Sequence, residues 1–403
     1  MRREGRTTFK LANRLEGVPA NETRQIVDEV ERFEKEGHDV LSFLVGRPDF
    51  DTAPHIKEAA KRALDAGFVH YVHSRGILSL REAISRNVAS RNGVLYDPET
   101  EIVVTAGAAA AIAASFYSLL ERGDEVIIPE PAWNNYGWAV RLAGGVPVGV
   151  PLSSSDLFNI NPDDLEEHIT PRTRVILLNS PHNPTGAVWG RERLLGVARI
   201  AERRDLIVVS DEIYDHFVYS GHHVSFSSLP GMKERTILVN GFSKTYSMTG
   251  WRLGYVSGPP SLIDGIMKIQ QYFLSCVNSF AQKGAISALE GSQIYVDEMA
   301  TEFRRRRDLV VERMKAIPDI DLVPSLGSFY AFPSFSRFGA PSVELARKLL
   351  YEAHIALAPG RAYGRAGEGH LRFAFTRPMD ELEEGLARLA RACATLERNA
   401  STR

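Results

Sequence analysis

Seven short apolar runs, rich in Val and Ile, mark the middle of the chain at 101–105, 125–128, 146–150, 175–179, 206–210, 236–240 and 253–256. Their near-continuous apolar character predicts strands buried on both faces of a sheet. Between several of them the apolar positions recur with a helical period, as at 108–121 and 193–203. Alternation of strand and helix implies an α/β fold with a mostly parallel, seven-stranded sheet between helices. Ligands of such sheets bind beyond the carboxyl ends of the strands. The unusual residues fall there: Gly107 after the first run, Asn183 after the fourth, Asp211 and Tyr214 after the fifth, and Lys244 after the sixth.

The flanks read differently. A polar amphipathic helix is predicted at 22–36, closed by Gly37. Beyond 296, helices alternate with short strands, with Ser342 and Asp380 as N-caps and Glu383 completing a capping box. The expected organisation is an N-terminal arm with part of a small domain (1–50), a large domain (51–290) and a smaller α+β C-terminal domain (291–403).

Composition narrows the function. A chain of 403 residues exceeds what one core usually supports. With 44% hydrophobic and 24% charged residues and a net charge of −2, it has no nucleic-acid footprint. Cys276 and Cys393 cannot staple a fold of this size and form no CxxC pair, which favours a reducing compartment and leaves no metal site. The basic N-terminus lacks an apolar segment behind it, and the Ala-rich run at 108–120 is too short to span a bilayer. A cytoplasmic enzyme without membrane or nucleic-acid partners is expected.

The segment VNGFSKTYSMTGWRLGY places Lys244 just past an apolar run and Arg252 eight residues later. A cofactor bearing an aldehyde and a phosphate needs such a pair, an amine to form an imine and a fixed cation for the phosphate. Lysine is ordinarily a solvated surface residue, but Tyr246, Met248 and Trp251 nearby argue for a partly buried amine with a depressed pKa. Asp211, in VVSDEIY, is either a helix N-cap or an anion for a protonated ring nitrogen. NPTG at 183–186, taken alone, is a turn.

Taken together, NPTG, DEIY and SKTYSMTGWRLGY closely resemble, in order and separation, the class I and II aminotransferases, fold type I enzymes dependent on pyridoxal phosphate. GRPDFDTAPHIKEA, YVHSRGILSLREAI, GSFYAF, APGRAYG and GEGHLRFAFT extend the likeness over nearly the whole chain. The resemblance implies that Lys244 carries the cofactor as an imine and moves the substrate proton. It implies that Asp211 pairs with the pyridine nitrogen, that Asn183 and Tyr214 bind the phenolic oxygen, and that Trp133 stacks on the ring. Gly107 ends a strand and opens a helix, so the N–H groups of Ala108 and Ala109 can hold a phosphate, with Ser243 and Arg252 beside them. Tyr71 would reach the phosphate of a partner subunit, implying a homodimer with shared sites. Arg372 matches the arginine that forks onto the substrate α-carboxylate, and Gly46 the glycine that leaves room for it.

Several positions depart from the family pattern. Gly241 stands where many members carry a hydroxyl ligand to the phosphate, and Ala109 lacks the basic side chain of some members that act on acidic substrates. Arg47 follows Gly46, and His73 and Arg75 flank the Tyr71 segment; these are either drift in surface loops or, for Arg47, a positive charge for an acidic substrate side chain. The resemblance implies transfer of an amino group between an L-amino acid and a 2-oxo acid by a ping-pong cycle. A lyase of the aminocyclopropane-carboxylate synthase type, a replacement enzyme or an amino-acid oxidase would share these motifs.

Overall fold

The computed structural model describes residues 12–15, 18 and 22–396. All seven apolar runs form strands of one sheet: β1 (Ile102–Thr105), β2 (Glu125–Glu130), β3 (Val146–Pro151), β4 (Thr173–Asn179), β5 (Ile207–Asp211), β6 (Thr236–Gly241) and β7 (Gly254–Ser257). Their order across the sheet is β1-β7-β6-β5-β4-β2-β3. Only β7 runs against its neighbours, antiparallel to both β1 and β6. The N-terminal end of β7 therefore lies at the edge where the other six strands end.

The lack of polar alternation has a direct cause. In β4, Val175 and Leu177 pack with Ala111, Phe116 and Ile263 on one side, while Ile176 and Leu178 pack with Leu194 and Val197 on the other. Successive side chains point to opposite faces, so a strand covered on both sides has no solvent face to keep polar. The expectation of two buried faces fails at β3. It is an edge strand, Val150 is its one buried residue, and Val146 is 42% exposed.

Outside this sheet, Leu371–Ala374 pairs antiparallel with Ala358–Pro359 and with Tyr330–Ala331. Leu41–Ser42 pairs in parallel with Ile355–Ala356, which ties an early segment to a late one. The early helix runs Glu22–Lys35, and Gly37 follows it with φ 92°. Two expected caps are corrected. Pro341 and Pro378 occupy the N-cap positions, so Ser342 lies inside its helix (Ser342–Ala353) and Asp380 inside its own (Met379–Thr395). Proline with extended backbone sets the helix entry at both, and the Ser342 hydroxyl instead accepts the Arg361 N–H at 3.1 Å. Among the described residues no helix is long and apolar enough to cross a membrane, and no group of His, Cys, Asp or Glu is arranged to hold a metal ion.

Candidate active site

The carboxyl ends of β1, β2, β4, β5 and β6 surround a cavity of about 340 Å³. Its lining includes Gly46, Ala108, Ala109, Trp133, Asn183, Asp211, Tyr214, Ser243, Lys244, Arg252 and Arg372. Those residues arrive by separate routes. Asp211 ends β5, Lys244 follows β6, and Arg252 precedes the reversed strand β7. Arg372 comes from the small antiparallel sheet, and Gly46 follows the Leu41–Ser42 strand.

Lys244 Nζ donates to the Gly46 carbonyl at 2.6 Å. Burial, then the positive charges of Arg372 and Arg252, lower its pKa to about 8 against the pull of Asp211. A useful fraction of the amine is thus in its neutral, nucleophilic form near neutrality, far more than for a free lysine. Asp211 is 3% exposed and shifts the other way, raised to about 6 by burial. It accepts from the Tyr136 hydroxyl at 2.7 Å and the Ile213 N–H at 3.2 Å. With no cation in contact among the described residues, this carboxylate is suited to a protonated nitrogen.

Arg372 is 5% exposed and spans the cavity wall. It donates to Asn183 Oδ1 at 3.0 Å and to the Leu44 carbonyl. Its guanidinium lies 4.3 Å from the Tyr330 ring centre and 4.9 Å from that of Tyr363. Its buried Nε has no hydrogen-bond partner among the described residues, a donor left for an anion. Burial holds the Tyr214 and Tyr330 phenols above their ordinary range, and the two hydroxyls lie 2.9 Å apart.

An anion cradle lies at the other end. The helix Ala108–Leu119 opens with no side-chain cap, so its first N–H groups face the cavity mouth without side-chain acceptors. A Cβ at Gly107 would come within 2.5 Å of the Arg252 guanidinium, and one at Gly254 within 2.7 Å of the Ala108 nitrogen. Both glycines permit the close approach of cation and helix end. Gly241 has a structural reason too, since a Cβ there would lie 3.0 Å from the Gly254 Cα on β7.

Gly46 leaves room for a neighbour within the fold, because a Cβ there would overlap the Tyr330 hydroxyl. Tyr71 is not in the cavity; it is 88% exposed. Arg47 is exposed and lies outside the cavity lining. Arg75 pairs with Asp264 and donates to the Thr100 carbonyl at 3.2 Å, a structural use. Sequence reasoning missed Tyr136, the hydrogen-bond donor to Asp211, and Tyr330. Tyr330 lies in the GSFYAF motif, which marked its segment but not its partners.

The residues fit pyridoxal phosphate: an amine of lowered pKa, a buried carboxylate lacking a cation, and an uncapped helix end beside an arginine. Comparisons with known proteins agree. A family model described as aminotransferase class I and II matches residues 38–389. The aspartate aminotransferase of Pyrococcus abyssi is 42% identical over 94% of this chain and 97% of its own length. An aromatic-amino-acid aminotransferase of Thermococcus litoralis is 41% identical over 94% and 97%. The structure of Thermus thermophilus aspartate aminotransferase with maleate superposes with a TM-score of 0.91 at 36% identity, covering 96% of this chain and all of that one. With its cavity and its relatives in agreement, this chain belongs to the class I and II aminotransferases and is a pyridoxal-phosphate-dependent enzyme.

Proposed function

We propose that the enzyme moves an amino group between an L-amino acid and a 2-oxo acid in a ping-pong cycle run from the Lys244 cavity. The observation that carries this is one cavity holding an amine near pKa 8, a cation-seeking carboxylate and an arginine with an unused donor. Pyridoxal phosphate, when bound, supplies an aldehyde for the amino group and a ring that accepts electrons from the substrate α-carbon. Ser243, Arg252 and the N–H groups of Ala108 and Ala109, beside Gly107, would hold its phosphate. Asp211 would hold the ring nitrogen in its charged form, Asn183 and Tyr214 would donate to the phenolic oxygen, and Trp133 would cover one face.

The chain's own work is positional and acid–base. Arg372 grips the substrate α-carboxylate with parallel donors, a geometry lysine cannot supply. Its position beside Gly46 and Asn183 orients the α-carbon toward Lys244. Lys244 Nζ would be placed to take the α-proton and hold it for return. The lowered amine pKa makes this exchange possible near neutral pH.

Tyr71 would complete the phosphate site of a second copy, making the working unit a homodimer; its 88% exposure supports that reading. The parallel pairing of Leu41–Ser42 with Ile355–Ala356 supports grouping 1–50 with 291–403 as a small domain against a large cofactor domain at 51–290. The composition supports a cytoplasmic location. Substituting Lys244→Ala should abolish turnover while cofactor remains bound non-covalently, read by absorbance and by loss of the borohydride-trapped adduct. Normal turnover by that variant would sink the proposal. Mixing the wild type with an amino acid and no acceptor should convert one cofactor per site and then stop; continuous release of ammonia or peroxide would indicate elimination or oxidation instead.

A further inference from the structure

Glu130 ends β2 beside the cavity, but it belongs to a second, larger groove of about 850 Å³ that shares Trp133 with the catalytic cavity. The far wall of this groove is the turn from Arg361 to Ala366. Glu130 Oε2 accepts the Arg365 N–H at 3.2 Å, and the next N–H, that of Ala366, acts on the same carboxylate and favours its charged form against burial. Two successive N–H groups converging on one carboxylate form a backbone anion site.

The fold makes room for this carboxylate on two sides. A Cβ on Gly149, in edge strand β3, would lie 2.6 Å from Glu130 Cδ. A Cβ on Gly364, at φ 107°, would lie 2.5 Å from the same atom. Nearby, the Ala132 N–H donates to the Tyr363 carbonyl at 2.7 Å, a second tie between the end of β2 and the turn. Tyr363 is one of the two rings that face the Arg372 guanidinium, Tyr330 being the other. The chain of contact therefore runs from Glu130 to the turn, from the turn to Tyr363, and from Tyr363 to Arg372.

We propose that Glu130 is a positioning residue for the amino-acid substrate: by fastening the 363–366 turn to the end of β2, it holds Tyr363 against Arg372 and fixes the carboxylate-binding fork. The inference rests on the assignment of Arg372 to the substrate α-carboxylate. Its effect falls on substrate binding, because Lys244 and Asp211 are held by other contacts.

The test uses the holoenzyme and steady-state kinetics with a saturating acceptor. Glu130→Ala should raise KM for the amino donor about tenfold, with kcat changed less than about twofold and the cofactor absorbance unaltered. Glu130→Gln keeps an acceptor oxygen and should recover most of that loss. Gly149→Ala, which pushes on the same carboxylate from the edge strand, should raise KM in the wild type and have little further effect in the Glu130→Ala background. An unchanged KM in Glu130→Ala, a fall in kcat as large as the rise in KM, or a Gly149→Ala effect that persists undiminished without the carboxylate would each overturn the proposal. If Glu130→Ala fails to fold, Gly149→Ala decides by the same KM criterion, with Glu130→Gln expected to stay near the wild-type KM. Arg372→Lys separates the two assignments. An unchanged KM there removes the carboxylate site itself, whereas a raised KM with silent Glu130 variants removes only the role of Glu130.

Discussion

Asp211 and Glu212 are consecutive carboxylates at the end of one strand, both nearly inaccessible, yet they are treated in opposite ways. Glu212 is 1% exposed and fully provided for. Its Oε1 accepts from Ser210 at 2.9 Å, Ser225 at 3.0 Å and the Phe226 N–H at 3.0 Å, and its Oε2 from Asn92 at 3.1 Å and His223 at 2.8 Å. Burial alone would lower the pKa of His223, but the Glu212 charge holds it above its ordinary value. Among the described residues the Asp211 carboxylate has only the Tyr136 hydroxyl and one N–H, and its carboxyl is raised to about 6. One carboxylate anchors the fold; the other is left short of partners, in keeping with its proposed pairing to a cofactor nitrogen. Electrostatic dissatisfaction, not burial, separates the proposed functional acid from the structural one.

The largest test of this contrast is Asp211→Asn. Turnover of the holoenzyme should fall about a thousandfold, near 4 kcal/mol, because the ring nitrogen loses its anion. The cofactor-free protein should melt at a higher temperature, since an underprovided buried charge is gone. A lower melting temperature would place Asp211 with the anchors. Glu212→Ala should do the reverse. It strands five donors and should cost stability by roughly 3–5 kcal/mol in chemical denaturation, while the folded fraction keeps its kcat within about threefold.

The pH response sharpens the same point. The folded-state pKa of Asp211, about 6, lies above its ordinary 3.8, so the folded cofactor-free protein binds more protons than the unfolded chain between those values. Its stability should therefore fall as pH rises from 3.8 to 6, by about 3 kcal/mol in total at ~1.4 kcal/mol per unit, with the full penalty present above 6. Comparing urea titrations of wild-type and Asp211→Asn proteins across that range isolates the contribution; identical slopes would contradict the raised pKa. The smallest effect is expected from Tyr136→Phe. Losing one hydrogen bond to the charged acid should lower kcat/KM about tenfold and leave the Glu212 network untouched.

Much of this was legible in the sequence, for reasons particular residues make clear. Asp211, Lys244 and Asn183 were legible together rather than singly: each alone also reads as a cap, a surface lysine or a turn, and only the ordered set of NPTG, DEIY and SKTYSMTGWRLGY singled them out. All seven strands were visible because both faces of most are covered; β3 misled because Pro147, Gly149 and Pro151 line an open groove at the sheet edge. Tyr136 and Tyr330 were not legible as partners. Their contacts, to Asp211 and Tyr214, join segments far apart in the chain, and no local pattern encodes which tyrosine hydroxyl will meet which acid. Proline at 341 and 378 outweighed the cap preference of the serine and aspartate that follow, a local competition that composition alone did not resolve.

The reversal of β7 has a consequence for how this enzyme tolerates change. Because β7 runs back between β1 and β6, the cavity's amine and the cation beside the uncapped helix end hang from a single connection, with Lys244 at its start and Arg252 at its finish. That connection is a ruler. Surface loops elsewhere can gain or lose residues with little penalty, but here each added residue would alter the span between the two side chains proposed to grip one small molecule. The segment is a loop by topology and a measuring device by use, and its length should be the least negotiable dimension of the chain.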